Sequence, residues 1–300
     1  TFRKGLVLSA RFAPDGKTVV YGASWEGEPF RIFSMRTESP ESRPLELVPA
    51  DVLAIASTGE MAASLGRRLI YGFSARGTLA RVPLVGGAPR QILEDVEDAD
   101  FAPDGRLMAV SRSVGGRYRL EFPIEKVLFE TEGWISSVRV SPDGRTVAFI
   151  DHPIVGDDRG SICVVGRDGS MRRLSEGWAS TMGLAWAPGG KEVWFTATEV
   201  SPNCALWAVD LSGKRRLLTR SPGRLVLQDI GPSGELLLTE GRARIGMAHR
   251  SGADASQKDL SWLDVTVTSD LSRDGKTVLF SEQGAGGGAG SYSVYLREIS

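Results

Sequence analysis

One phrase, written seven times, constrains this chain more than any other feature. It reads ARFAPDGKTVVY from Ala10, ADFAPDGRLMAV from Ala99 and VRVSPDGRTVAF from Val138. Looser copies are LAIASTGEMAAS from Leu53, LAWAPGGKEVWF from Leu184, LQDIGPSGELLL from Leu227 and SDLSRDGKTVLF from Ser269. The turn glycines fall at Gly16, Gly59, Gly105, Gly144, Gly190, Gly234 and Gly275, 39 to 46 residues apart. A period of that size marks an array of small units, each unable to bury its apolar faces without neighbours.

Each copy sets apolar residues two apart, then Pro-Asp-Gly or a relative, then a β-branched or aromatic run, which is a hairpin signal. The Asp15-Gly16 pair is expected to take positive φ, matching the twist of two antiparallel strands. A weaker second hairpin follows most copies: VPLVGGAPRQIL from Val82, CVVGRDGSMRRL from Cys163 and LWAVDLSGKRRLL from Leu206. Two hairpins per period give a four-stranded antiparallel meander. Val147, Phe149, Val193 and Trp194 make both of its faces apolar, so every sheet needs a neighbour on each side. Radial packing about an axis meets that need. The 36 glycines fit a chain full of tight turns, and no stretch of 12 or more residues sustains a 3.6-residue period with caps. The expectation is an all-β, seven-bladed β-propeller occupying residues 1–300 as a single domain. The seventh repeat stops at Ser300 after its third strand, while Thr1 to Gly5 resembles the end of a fourth. Either the N-terminus closes the last blade or that blade is incomplete, and a start at Thr1 without Met reads as an excised or processed piece.

The phrase SPDGRTVAF at Ser141 to Phe149, with LSGKRRLL-like text some distance downstream, resembles the TolB-type propeller repeat. Such repeats build the periplasmic protein TolB, the propellers of prolyl-oligopeptidase-like and tricorn proteases, and segments downstream of many bacterial serine/threonine kinase domains. The resemblance covers essentially the whole chain and is nearest to the kinase-attached propellers. It implies a non-catalytic binding or scaffold module, the sensor region of a bacterial receptor-like kinase, in an extracytoplasmic or periplasmic setting. Two alternatives fit a propeller: a metal-dependent hydrolase or lactonase, and the gating propeller of a peptidase. Ser57-Thr58-Gly59 departs from the Pro-Asp-Gly pattern, so the second blade is expected to be irregular.

A formal charge of −1 lacks the broad positive field that nucleic-acid or anionic-membrane binding uses, and no run of 18 apolar residues occurs. No nucleic-acid partner and no membrane insertion are expected. Ser272-Arg273-Asp274 lacks the histidine of a kinase catalytic loop and sits in a repeat turn. The GAGGGAG run from Gly284 has no following Gly-Lys-Ser/Thr, so it reads as a loop. With only His152 and His249 and no G-x-S-x-G, a hydrolytic triad has no basis. His152 with Asp157 and Asp158, or Glu94, Asp95, Glu97, Asp98 and Asp100, could gather a cation, but solvated loops explain both groups. No cofactor is expected, and Cys163 and Cys204 read as free, partly buried thiols.

Sorting loops by end gives the expected recognition face. Connectors between blades and inner hairpin loops share the end opposite the Pro-Asp-Gly turns. They collect Trp25, Arg112, Arg117, Trp134, Asp151, His152, Trp178, Glu199, Glu240, Trp262 and Glu282. Aromatic walls beside mixed charges suit a protein or small-molecule ligand. The competing expectation is that these tryptophans wedge the blades together.

Overall fold

The computed structural model describes residues 4–39, 41–200, 204–221, 223–241, 245–252, 256–263, 265–283 and 293–299. No helix occurs among them, and seven antiparallel units follow one another as the repeats predict. Blade one comprises β1 (Gly5–Phe12), β2 (Thr18–Trp25), β3 (Arg31–Arg36) and β4 (Ser42–Pro44). Blade two comprises β5 (Ala50–Ile55), β6 (Glu60–Tyr71), β7 (Ser74–Pro83) and the first half of β8 (Arg90–Phe101). The second half of β8 opens blade three with β9 (Met108–Val114), β10 (Arg117–Glu121) and β11 (Val127–Thr131), so one long strand joins the two blades into a seven-stranded sheet. The merging lies at the junction of blades two and three, whereas the Ser57-Thr58-Gly59 turn closes as the other turns do, with Gly59 N–H donating to Ala56 O at 2.9 Å.

Blade four is β12 (Trp134–Val140), β13 (Thr146–His152), β14 (Gly160–Gly166) and β15 (Met171–Trp178). Blade five is β16 (Ser180–Trp186), β17 (Glu192–Thr198), β18 (Ala205–Asp210) and β19 (Arg215–Thr219). Blade six pairs β20 (Arg224–Ile230) with β21 (Leu236–Gly241), and a short ribbon follows, β22 (Ala248–His249) with β23 (Lys258–Asp259). Unit seven is β24 (Val265–Leu271), β25 (Thr277–Gln283) and β26 (Ser293–Glu298).

The repeated turn has a direct physical cause. In blade four Gly144 N–H donates to Ser141 O at 2.8 Å, and Asp143 Oδ1 accepts from Arg145 N–H at 3.0 Å. Only the glycine, at φ 70°, has positive φ, so the loop is a type I turn closed by a left-handed glycine and not a turn with both residues left-handed. Asp15, Asp104 and Asp274 make the same bond two residues on. Each inner strand also carries a register shift against its partner in the same part of the blade, such as Val7/Ser9, Ser136/Arg139 and Leu227/Asp229. Such bulges increase local twist and re-aim side chains, here beside the axis.

The core lies between blades. Ala148, Ile150 and Ile162 of blade four pack with Leu184, Val193 and Phe195 of blade five, and Trp178 seals that interface. Cys163 and Cys204 are free and buried, and burial pushes the Cys163 thiol up to about 12.

The expected closure of the last blade by the N-terminus falls on residues 1–3, which lie outside the described residues, as does the 284–290 glycine run; Gly5 and Leu6 pair with Trp25 and Ser24 inside blade one. Blade six closes directly on blade one: Phe12 N–H donates to Asp229 Oδ2 at 2.9 Å and Ala10 N–H to Gln228 Oε1 at 3.2 Å. The first of these repeats the bond between blades three and four, where Val140 N–H donates to Asp100 Oδ2 at 2.7 Å. A Cβ on Gly144 would touch Pro103 of the preceding blade, one on Gly190 Pro142, and one on Gly16 Pro232. Blade one therefore stands to blade six as blade four stands to blade three. Unit seven keeps its repeat hairpin but lies off this seam, with β24 exposed from Thr268 to Leu271. Its sheet packs Val278 and Phe280 against Met247 and Leu260.

Candidate functional site

Counting back five residues from each turn glycine gives Arg11, Ala54, Asp100, Arg139, Ala185 and Asp229 for blades one to six. The order Arg-Ala-Asp occurs twice around the closed ring, so each type recurs on blades three apart. Five of these six residues line a cavity of about 160 Å³ on the axis at the Pro-Asp-Gly end, with Phe12, Ile55, Val140 and Trp186. Those four apolar residues are each one position nearer the turn than the Arg-Ala-Asp set, and together they form a collar around a charged floor.

The floor is densely paired. Arg11 Nη1 donates to Ala10 O at 2.7 Å and Gln228 O at 2.9 Å, while Arg139 donates to Val138 O at 2.7 Å and to the same Gln228 O at 3.1 Å. Guanidiniums from blades one and four thus converge on one carbonyl of blade six. Asp98 accepts from Ala99 and Val138 N–H, and Asp229 accepts from Phe12 and Ile230 N–H. Burial pushes Asp100 up to about 6 against the pull of Arg139, and burial together with Arg139 brings Arg11 down to about 10. Sequence reasoning missed this site because it assigned the Pro-Asp-Gly end to turns alone. The signal was present in the residue two before each turn's opening pair, but only alignment of the repeats on the glycine exposes it.

The opposite mouth is crossed by the β6–β7 hairpin. Phe73 N–H of blade two donates to Gly156 O of blade four at 3.0 Å. Arg224 of blade six lies 4.4 Å over the Phe73 ring and pairs with Asp158 at 3.0 Å. A Cβ on Gly72, at φ 55°, would collide with the Gly156 carbonyl oxygen, and one on Gly156, at φ 78°, with Tyr71 O. Two glycines therefore allow the hairpin tip to lie against the facing loop.

The residues expected to form the recognition face are placed otherwise. Trp134 and His152 are fully buried and stack with centroids 4.0 Å apart. Trp134 Nε1 donates to Asp157 O at 2.9 Å. His152 Nε2 bonds Ser136 Oγ and Nδ1 bonds Arg159 O, both at 2.8 Å, and burial lowers its pKa to about 4. It is a neutral core histidine with both nitrogens engaged. Trp178 and Trp25 are buried against Phe195 and Phe33. These indoles fill the seams between and within blades, because a large flat side chain at a strand end meets the neighbouring sheet before it meets solvent.

The polar members are locally paired: Asp151 with Arg173, Arg112 with Glu121, Arg117 with Glu130, Glu199 with Arg215. Glu240 is exposed and accepts from Ser221 Oγ, and buried Glu282 accepts from Thr266 Oγ1. Trp262 alone of the named tryptophans is largely exposed, at 54%. The set is spread over separate blades. Asp157 pairs with Arg159, Asp158 with Arg224, and among the described residues no three His, Cys, Asp or Glu side chains gather as metal ligands would.

The chain aligns with TolB from Acinetobacter baumannii at 16% identity and TM-score 0.58 over 73% of its length, and spans 55% of that chain. With the putative TolB from Agrobacterium tumefaciens the identity is 18% and the TM-score 0.60, covering 78% of this chain and 89% of that one. The fold is a TolB-like and WD-repeat-like β-propeller. A chain of a nidogen/laminin complex is also similar, at 15% identity and TM-score 0.52 over 70% of this chain and 82% of that one. No protein-family model matches the sequence, and no curated protein does. No helix among the described residues is long and apolar enough to cross a membrane.

Proposed function

We propose that this chain is a non-catalytic binding propeller that receives its ligand in the axial cavity at the Pro-Asp-Gly end, as the sensor or scaffold portion of a bacterial signalling protein such as a receptor-like serine/threonine kinase. The observation that carries this reading is the cavity itself: an apolar collar over a charged floor, open at one end and crossed by a hairpin at the other. Pockets that bind small groups combine apolar walls with a few convergent polar side chains. The resemblance of the turn phrases to kinase-attached propellers supports the signalling context. A chain of similar fold was solved in a nidogen/laminin complex, which supports a protein-binding role. The test is a thermal-shift screen of small acids, amines, sugars and short peptides on the wild-type chain and on Ala185→Phe, which fills the cavity. Ligands that raise the melting temperature of the wild type should lose that effect in the variant. Ligands that act equally on both would place the site elsewhere, and turnover of any of them would overturn the non-catalytic assignment.

A further inference from the structure

The axial floor sets two arginines, Arg11 and Arg139, among three aspartates, Asp98, Asp100 and Asp229, and its hydrogen-bonding capacity is uneven. Its carboxylates are engaged: Asp98 and Asp229 each accept two backbone N–H groups, and Asp100 accepts Val140 N–H. Its guanidiniums are engaged only through their Nη atoms. Arg11 and Arg139 are more than nine-tenths buried, yet the Nε of each has no partner among the described residues. An arginine presents five N–H donors, and donors left unpaired away from water are costly. The spare capacity is therefore donor capacity, contributed by two blades that face one another across the axis.

We propose that the cavity is a carboxylate site in which a single carboxylate group bridges Arg11 and Arg139. Guanidinium forks match the two oxygens of a carboxylate in plane and spacing. Ala185, the small residue of the Arg-Ala-Asp series, leaves the space. The volume of about 160 Å³ holds roughly five waters at ~30 Å³ each, enough for a carboxylate with a short stem. The collar of Phe12, Ile55, Val140 and Trp186 specifies that stem as apolar. Three aspartates close by limit the guest to one negative charge, which disfavours phosphate dianions and sulfate. A cation would meet two guanidiniums and find both oxygens of Asp98 and Asp229 already accepting backbone N–H groups. The fall of Arg11 to about 10 comes first from burial and second from the charge of Arg139, and such a guest would offset the second. The inference rests on the reading of the cavity as the binding site and adds the chemical class of what enters.

Calorimetric and thermal-shift titrations with butyrate, butyramide and butylamine test it on the full chain, with Arg11→Met, Arg139→Met and the surface variant Arg172→Met. Butyrate should bind the wild type and Arg172→Met, while the amide and the amine should not. Either cavity substitution should weaken butyrate at least tenfold. Equal binding of acid and amide, or retention of butyrate affinity in both cavity variants, would overturn the proposal. If a methionine variant fails to fold, Ala185→Phe serves instead, since it keeps both arginines and must still abolish butyrate binding. Failure of carboxylates alone, with another ligand class displaced by Ala185→Phe, would refute the carboxylate site and leave the cavity reading standing. A short peptide with a free C-terminal carboxylate, compared with its amide, separates the sources. Tighter binding of the free peptide than of butyrate assigns the guest to a protein terminus, and the reverse order assigns it to a small acid.

Discussion

Substituting Asp229 by alanine isolates the bond that closes the ring. Asp229 makes two bonds, one to its own neighbour Ile230 N–H and one across the seam to Phe12 N–H, both at 2.9 Å. Asp270 occupies the same repeat position in unit seven and makes only the local bond, to Leu271 N–H at 2.7 Å, on an exposed strand. The local terms cancel in a comparison of the two variants, which leaves the interblade bond together with the attraction of Asp229 for buried Arg11. Removing its acceptor strands a partly buried N–H, at a cost of ~1–3 kcal/mol, whereas an exposed substitution changes stability within about 0.5 kcal/mol. In a domain of this size each kcal/mol moves the melting temperature by about 2–4 °C. Asp229→Ala should therefore melt about 2–12 °C below wild type, Asp270→Ala within about 2 °C of it, and Asp100→Ala, which loses the equivalent bond to Val140, should resemble Asp229→Ala. The assay is calorimetry, with urea midpoints as a check. Equal and small effects at Asp229 and Asp270, or a larger loss at Asp270, would refute the assignment of the closing seam to blades six and one.

Other consequences follow from the same geometry. Trp134→Ala removes a fully buried indole and should cost ~3–5 kcal/mol in urea unfolding, while Trp262→Ala, half in solvent, should cost much less; similar values for the two would contradict the burial described. His152 is held near 4, against about 6.5 in the unfolded chain, so between those values the unfolded state takes up a proton that the folded state refuses. The His152 contribution to stability should fall as pH drops through that window, by up to ~1.4 kcal/mol per pH unit, against an opposite contribution from Asp100, whose carboxyl is raised to about 6. His152→Gln should remove that slope, and an unchanged pH profile would count against the buried neutral ring. Gly72→Val should lift the hairpin from Gly156 and speed limited proteolysis within residues 66–74 with little change in melting temperature; unaltered cleavage would show that the hairpin does not depend on that close approach.

The parts of the molecule that were legible in the sequence are those specified within a few residues. Pro-Asp-Gly sets its own turn through the aspartate's bond to the residue two on, so the hairpins, their number and the all-β class can be read directly. Unit seven shows the limit of such reading. Its Ser272-Arg273-Asp274-Gly275 turn is as well formed as the others, yet the turn carries no information about which sheet lies next to which. That is decided between distant residues, such as Gln228 and Asp229 against Ala10 and Phe12. The tryptophans were misplaced for a related reason. Trp134 opens β12 and Trp178 ends β15, so both look like loop residues along the chain, although each is covered by an adjacent blade. The Arg-Ala-Asp series escaped notice because a charged residue at an alternating strand position resembles any solvent-facing one until the strands are arranged in a circle.

The hairpin across the far mouth bears on how anything could use the axis. With Phe73 anchored to Gly156, the axis is a blind socket and not a tunnel. A thread could pass through an open tube and be gripped anywhere along its length, but a closed-bottomed socket admits only tips. Whatever enters must offer a terminus or a single projecting side chain, and a polymer's interior would be turned away by the geometry of the floor before any chemistry is read.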